Sequence, residues 1–311
     1  MTRQARVILA VSAILLLLPV ATSLLGQPFY LTFMTRVLIF ALAALSLDLI
    51  LGYGGMVSLG HAAFFGVAAY VVGICAAEGV HQAWIQWPLA IGATALASTL
   101  IGLVVLRTSG VYFIMITLAF GQMLYFLFVS LRQYGGDDGL TLPMRSQLPG
   151  LDLGHGPTLY YLTLAILAAC LLILHRMTNS RFGLLLQGAK HNARRMGALG
   201  FPVFRYRLAA FVIAGVMCGI AGVLQANLTQ FVSPSYMGWT RSGELIVMVV
   251  MGGMGTLFGP ILGAFALLAL EEGLSELTIH WMAILGPILV LLVLYARRGL
   301  WGLVEGKRPH E

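Results

Sequence analysis

Four ionisable side chains stand inside long apolar runs: Arg36, Asp48, His61 and Glu244. Such groups are costly at membrane depth and mark function unless a local partner explains them. Arg36 is near the end of its run, where its long stem can carry the guanidinium to the surface. Asp48, four residues before Gly52, is placed to cap backbone freed by a glycine-rich break; facing a pore is the alternative. His61 follows Gly60 at the start of a re-entering segment, where it either lines a cavity or packs against its neighbours. Glu244 comes three residues after Arg241, the spacing of a local ion pair on a helix.

The enzyme chemistries fail on their residue patterns. No G-x-x-x-x-G-K-[ST] loop exists for a nucleotide phosphate. Gly253-x-Gly255-x-x-x-Gly259 lacks the spacing and preceding strand of a dinucleotide loop. Neither a Ser/His/Asp set nor H-E-x-x-H occurs, and Glu271-Glu272 reads as an exposed acidic loop. Cys75, Cys170 and Cys218 lie in apolar segments without CxxC spacing, and the 7 histidines are scattered, which argues against a metal site or disulfide. No line of acids crosses the chain, and no ring of like charge suggests an ion filter. A pathway of Gly, Ser, Thr, Tyr and helix ends suits a neutral or zwitterionic solute with an apolar part.

The elements that position these residues are membrane segments. Of 311 residues, 59% are apolar and 9% charged, with a mean hydropathy of +0.93. A soluble domain carries roughly 25% charged residues, so this composition cannot cover a water-facing surface. The hydrophobicity lies in long runs, which predicts an all-α polytopic membrane helix bundle, one domain over 1–311. The +7 net charge reflects which loops face the cytoplasm and is no nucleic-acid signal.

About ten hydrophobic segments follow one another, some re-entrant or broken. The run Val7–Leu25 behind Arg3 and Arg6 is longer than a signal-peptide core and reads as a retained first span. Glycines interrupt the chain at 52–60, and again at 252–260 inside the apolar stretch Ser242–Leu270. With both termini cytoplasmic, Arg107, the stretch 176–207 and Arg297-Arg298 fall inside. Asp137, Asp138, Asp152 and the acids Glu271, Glu272 and Glu276 fall outside.

The two breaks echo one another: Gly54-Gly55-Met56 in one half, Gly252-Gly253-Met254-Gly255 in the other. Glycine-interrupted segments at corresponding places point to a transport site. Close helix packing is the alternative, and Gly215-x-x-x-Gly219 and Gly259-x-x-x-Gly263 have its spacing. The stretch 176–207 holds Arg176, Arg181, Lys190, Arg194, Arg195, Arg205 and Arg207 without one Asp or Glu. Asn179-Ser180 can cap a short amphipathic helix there, which Gly200 and Pro202 stop. Its Leu184, Leu185, Leu186, Met196 and Leu199 call for a protein partner or lipid.

Together these motifs resemble the Liv-type permeases, in their LivM-like branch. The likeness is carried by Gly52-Tyr53-Gly54-Gly55-Met56-Val57-Ser58-Leu59-Gly60-His61-Ala62-Ala63-Phe64, Gly110-Val111-Tyr112-Phe113, Gly136-Asp137-Asp138-Gly139-Leu140, Ser180-Arg181-Phe182-Gly183 and Gly252-Gly253-Met254-Gly255-Thr256. One run departs: Ala189-Lys190-His191-Asn192-Ala193 stands where the family commonly has Arg-Glu-Asn-Glu. The resemblance implies half of a heterodimeric pore in the inner membrane, paired with a second related permease. Two cytoplasmic ATPase subunits would hold ATP and magnesium, this chain no cofactor, and a periplasmic or lipid-anchored solute-binding protein would deliver the solute. It places Tyr53, Ser58, His61, Tyr112, Thr117, Gln122, Gly252 and Gly253 along the pathway. Leu184, Lys190, Arg194, Arg195, Gly197 and Gly200 would meet the ATPase, and Asp137 and Asp138 the binding protein. The implied solutes are branched-chain or other small hydrophobic amino acids, with urea, short amides or small organic acids as alternatives. A stand-alone channel or secondary carrier is a further reading.

Overall fold

The computed structural model describes residues 15–19, 28–148, 153–295 and 299–305. Most of the expected first span lies outside the described residues, apart from a helical piece over 15–19, α1. Arg3, Arg6, the Gly26-Gln27 turn, Asp152, Arg297-Arg298 and the polar tail also lie outside them. The all-α expectation holds. The helices are α2 (Pro28–Asp48), α3 (Ala62–Ala77), α4 (Ala83–Val105), α5 (Val111–Ser130), α6 (Gly156–Thr178) and α7 (Arg181–Ala198). They continue with α8 (Val203–Thr229), α9 (Trp239–Gly252), α10 (Gly259–Leu277), α11 (Trp281–Tyr295) and α12 (Gly299–Glu305).

Among the described residues five helices are long and apolar enough to cross a membrane: α2 with its extension to Tyr53, α4, α5, α6 and α8. A 14-residue helix such as α9 rises only about 21 Å, short of a hydrocarbon core of about 30 Å. The apolar stretch 242–270 is therefore two helices joined at a glycine turn. The acids expected in a loop after it sit on α10 instead, which runs on through Glu271, Glu272 and Glu276 to Leu277. Glutamate and leucine are good helix formers and carry the helix through Gly273.

The bundle is built around α2. Its apolar window is 89% buried, whereas that of α5 is 17% buried. Residues of α2, α8, α9 and α10 supply most of one continuous core. Close approach explains the glycine spacing on α8. A Cβ on Gly215 would meet Ser98, one on Gly219 would meet Thr94, and one on Gly222 would run into the Phe65 carbonyl. Small residues thus let α8 lie against α3 and α4.

One end of the bundle is tied by a short antiparallel pair, β1 (Leu140–Thr141) with β2 (Phe231–Val232), in which Leu140 faces Val232. Asn227 Oδ1 accepts from the Ser146 amide at 2.8 Å, and Ser146 Oγ meets Gln86 Oε1 at 2.5 Å. These bonds pin the long loop after α5 onto α4 and α8. Asp137 and Asp138 stand exposed at its tip, between glycines at positive φ.

Candidate functional site

The two glycine breaks meet. After Asp48 the last turns of α2 widen into a π-helix over Leu49–Tyr53, an arrangement frequent at functional sites. The end of any helix leaves carbonyls without an intrahelical donor. Here Met56 N–H donates to the Ile50 carbonyl and Gly55 N–H to that of Leu51. The Gly52 carbonyl takes its donor from the basic island: Lys190 Nζ on α7, at 2.6 Å. Asp48 does cap a glycine break, but the other one: its Oδ1 accepts from the Gly255 amide at 2.8 Å across 207 positions of sequence. Gly52 lies between these groups, and a Cβ there would run into both Asp48 Oδ1 and the Gly255 nitrogen. Gly255 (φ +73°) and Gly253 (φ +119°) hold backbone shapes that favour glycine. Gly253 in turn backs onto Gly299 at the start of α12.

The second turn also satisfies itself. Thr256 Oγ1 donates to the Gly253 carbonyl at 2.7 Å and accepts from Gly259 N–H at 3.1 Å. Gly259 and Gly263 let α10 approach α9 so closely that a Cβ on Gly263 would strike the Met248 carbonyl.

Ser58, His61 and Thr117 come together at the far side of the first break. Thr117 Oγ1 accepts from Leu59 N–H at 3.3 Å, and a Cβ on Gly60 would run into the Thr117 carbonyl. Ser242 Oγ accepts from Ala62 N–H at 3.0 Å, which caps the start of α3. His61 is 0% exposed. Its Nε2 lies 2.9 Å from Ser46 Oγ, its edge packs on Phe64, and its carbonyl accepts from the Cys218 thiol. His61 Nδ1 and Ser58 Oγ are buried without a hydrogen-bond partner.

The other residues expected along the pathway sit apart from that cluster. Tyr112 is 76% exposed and Gln122 partly exposed, both on the little-buried helix α5. Tyr53 is half-buried at the π-helix end, beside Thr178. Gly252 is buried against α10. A cavity of about 120 Å³ opens between Gly55, the Thr108–Gly110 turn and Arg207. It puts Arg107 and the basic island at the same end of the bundle.

The island folds as a capped helix, with one departure. Ser180 Oγ accepts from Phe182 N–H, as its position predicts. The expected single helix is broken at Asn192 (φ −155°, ψ 92°), whose Oδ1 accepts from Arg195 N–H at 2.9 Å and so starts a second short piece. Asn competes for backbone donors in this way and favours caps over helix interiors. Gly183, Leu186 and Ala189 form the buried stripe, and Arg207 Nη2 donates to the Ala189 carbonyl. On the outer side Leu184 is 67% and Leu199 66% exposed, among exposed Arg194, Arg195, Gly197 and Gly200. Lys190 differs from these: the residue is exposed, but its stem passes Gly55 and its ammonium turns inward to Gly52. Among the described residues no His, Cys, Asp and Glu side chains gather as a metal site.

Comparison with known proteins gives this geometry a family. A family model described as branched-chain amino acid transport system / permease component matches residues 29–296. The high-affinity branched-chain amino acid transport system permease protein LivM of Salmonella typhimurium is 27% identical over 290 residues, 86% of this chain and 68% of its own. The autoinducer 2 import system permease protein LsrC of an Enterobacter species is 29% identical over 91% of this chain and 83% of its own. The xylose transport system permease protein XylH of Escherichia coli is 30% identical over 41% of this chain and 35% of its own. No solved structure matches. The chain belongs to the branched-chain amino acid transport system permease family, whose members are multi-pass membrane subunits of ABC transporters and not enzymes.

Proposed function

We propose that this chain forms half of the translocation pathway of an ABC importer for branched-chain or other small hydrophobic amino acids. A second related permease supplies the other half. Two ATPase subunits that bind ATP and magnesium drive alternating access, and a solute-binding protein docks near Asp137 and Asp138. The single observation that carries the reading is α7. It presents exposed Leu184 and Leu199 among exposed basic residues, while its inner side grips the meeting point of the two glycine breaks. A helix built this way receives a push from a partner and hands it to the bundle. Positive charge gathers at the α7 end and the exposed acids at the other, which supports an inner-membrane orientation with α7 and both termini cytoplasmic.

The amino-acid reading draws on the likeness to LivM over most of both chains. A sugar such as xylose is the second reading, favoured by the likeness to XylH over 41% of the chain. ATP-dependent uptake of radiolabelled leucine and of xylose, by the assembled importer in proteoliposomes, separates the two. Uptake by this chain alone without ATP would overturn the importer reading. Gly197→Asp probes the α7 surface: a Cβ at Gly197 meets nothing within 4 Å, so the side chain fits, whereas Gly200 (φ +85°) is strained by any substitution. The expected outcome is normal membrane insertion with a loss of uptake of about tenfold, from one unpaired charge placed against a partner. Unchanged uptake would remove α7 from the coupling path.

A further inference from the structure

Two side-chain bonds make the contact between α7 and the bundle specific. The buried stripe of α7 is apolar and small: Gly183, Leu186 and Ala189. Arg207 on α8 holds its backbone from the bundle side, at the Ala189 carbonyl. Lys190 is the side chain that reaches from α7 into the bundle. Its ammonium spans from the outer helix to the Gly52 carbonyl at 2.6 Å, and its Cγ would lie 2.8 Å from a Cβ on Gly55. Glycine at 55 leaves room for the stem to reach the end of α2.

What Lys190 grips is already bound to the second break. Gly52 packs against Gly255, and Asp48, one turn earlier on α2, holds the Gly255 amide. Asp48 is 1% exposed, and its Oδ2 has no hydrogen-bond partner. Lys190 therefore donates to a helix-end carbonyl that lies directly beside the acid joining the two halves of the chain.

We propose that Lys190 is the positioning residue of coupling: the Lys190–Gly52 and Asp48–Gly255 hydrogen bonds make α7 and both glycine breaks one joint, so that displacement of α7 moves the end of α2 and the α9–α10 turn together. This inference rests on the importer reading above for its role in transport, and on the structure alone for the joint itself. The exposed Arg194 and Arg195 remain for the partner.

Two measurements separate these levels. The first is hydrogen–deuterium exchange of the full chain in lipid nanodiscs, followed on peptides containing Gly255. Lys190→Met, which keeps the stem and loses the donor, is expected to speed exchange there about tenfold, the factor carried by a charge-assisted hydrogen bond. Lys190→Arg restores a donor and is expected to stay near wild type. Unchanged exchange in Lys190→Met would overturn the joint, whatever the chain transports. The second is solute moved per ATP hydrolysed by the assembled importer. A loss of fold or assembly lowers uptake and hydrolysis together and leaves that ratio in place. Loss of the joint lowers the ratio, with an expected fall of about tenfold in Lys190→Met from the same bond and recovery in Lys190→Arg. An unchanged ratio beside faster exchange would leave the joint standing and overturn its role in coupling. Wild-type protein that shows no ATP-dependent uptake would instead sink the importer reading and the coupling role with it. Adding Asp48→Asn to Lys190→Met is expected to change exchange at Gly255 by less than the two single effects combined, because both bonds belong to one joint. Additive effects of the two substitutions would overturn the claim that the pair acts as one unit.

Discussion

The two glycine breaks solve the same problem in opposite ways. The first, from Gly52 to Gly60, turns back on Leu51 and Ile50 but also leans on other helices: Lys190 on α7 and Thr117 on α5, with Ser242 on α9 holding Ala62 just beyond it. The second, from Gly252 to Gly259, is closed mainly from within, by Thr256 bonding to both Gly253 and Gly259. Among the described residues its partner from outside is Asp48. A turn that satisfies its own backbone keeps its shape when its surroundings move. A turn satisfied by neighbours registers every displacement of those neighbours. The second break thus behaves as a rigid block and the first as the responsive element leaning on it, with Asp48 as the strap between them.

The largest test of that contrast is Gly52→Ala. The added methyl would overlap the Asp48 carboxylate and the Gly255 backbone, and neither belongs to a freely moving chain end. The breaks must separate, with a cost at the upper range of overpacking, about 3 kcal/mol or more. A clear drop in the thermal midpoint of the purified protein in detergent is expected. A midpoint equal to wild type would mean that the breaks do not touch.

Next in size is Asp48→Ala, which leaves the Gly255 amide without its acceptor. An unsatisfied buried donor costs about 1–3 kcal/mol. Asp48→Asn keeps an acceptor oxygen at that place and is expected to lose much less. The difference between the two variants in thermal midpoint isolates the strap. Equal losses in both would assign the effect to the charge and take the cap away.

These contacts also mark the limit of what was legible in the sequence. The apolar runs and their glycine interruptions were visible, because bilayer thickness and backbone satisfaction restrict a membrane chain to few arrangements. The echo between Gly54-Gly55-Met56 and Gly252-Gly253-Met254 marked two corresponding places, and Asp48 read as a cap. That its partner is Gly255 was not legible, since 207 positions of chain separate them and only packing brings them together. The acids of α10 were read as a loop from their charge, although Glu271, Glu272 and Glu276 extend the helix toward Leu277. The break at Asn192 was hidden by the apolar periodicity on either side of it. An Asn three residues before Arg195 is nonetheless the spacing of a cap. Lys190 shows the limit most plainly: grouped by charge with the exposed Arg194 and Arg195, it turns inward instead, because Gly55 opens a path for its stem.

The smallest and most discriminating test pairs Ser242→Ala with Thr256→Val. Each removes hydroxyl contacts to backbone at one break, and such bonds inside a membrane are worth about 0.6 kcal/mol on average. Their effects on thermal midpoint are therefore expected to be small and alike. Their effects on motion are expected to differ. Ser242 is an outside hold on the first break, so its loss frees the start of α3 and raises exchange at Ala62 without touching Gly255. Thr256 is an inside hold on the second, so its loss loosens the block against which Asp48 and Gly52 rest, and exchange rises at Gly259 and at the end of α2 together. If Ser242→Ala spread its effect to Gly255 while Thr256→Val stayed local, the roles of the two breaks would be exchanged, with the rigid block at 52–60 and the responsive turn at 252–259.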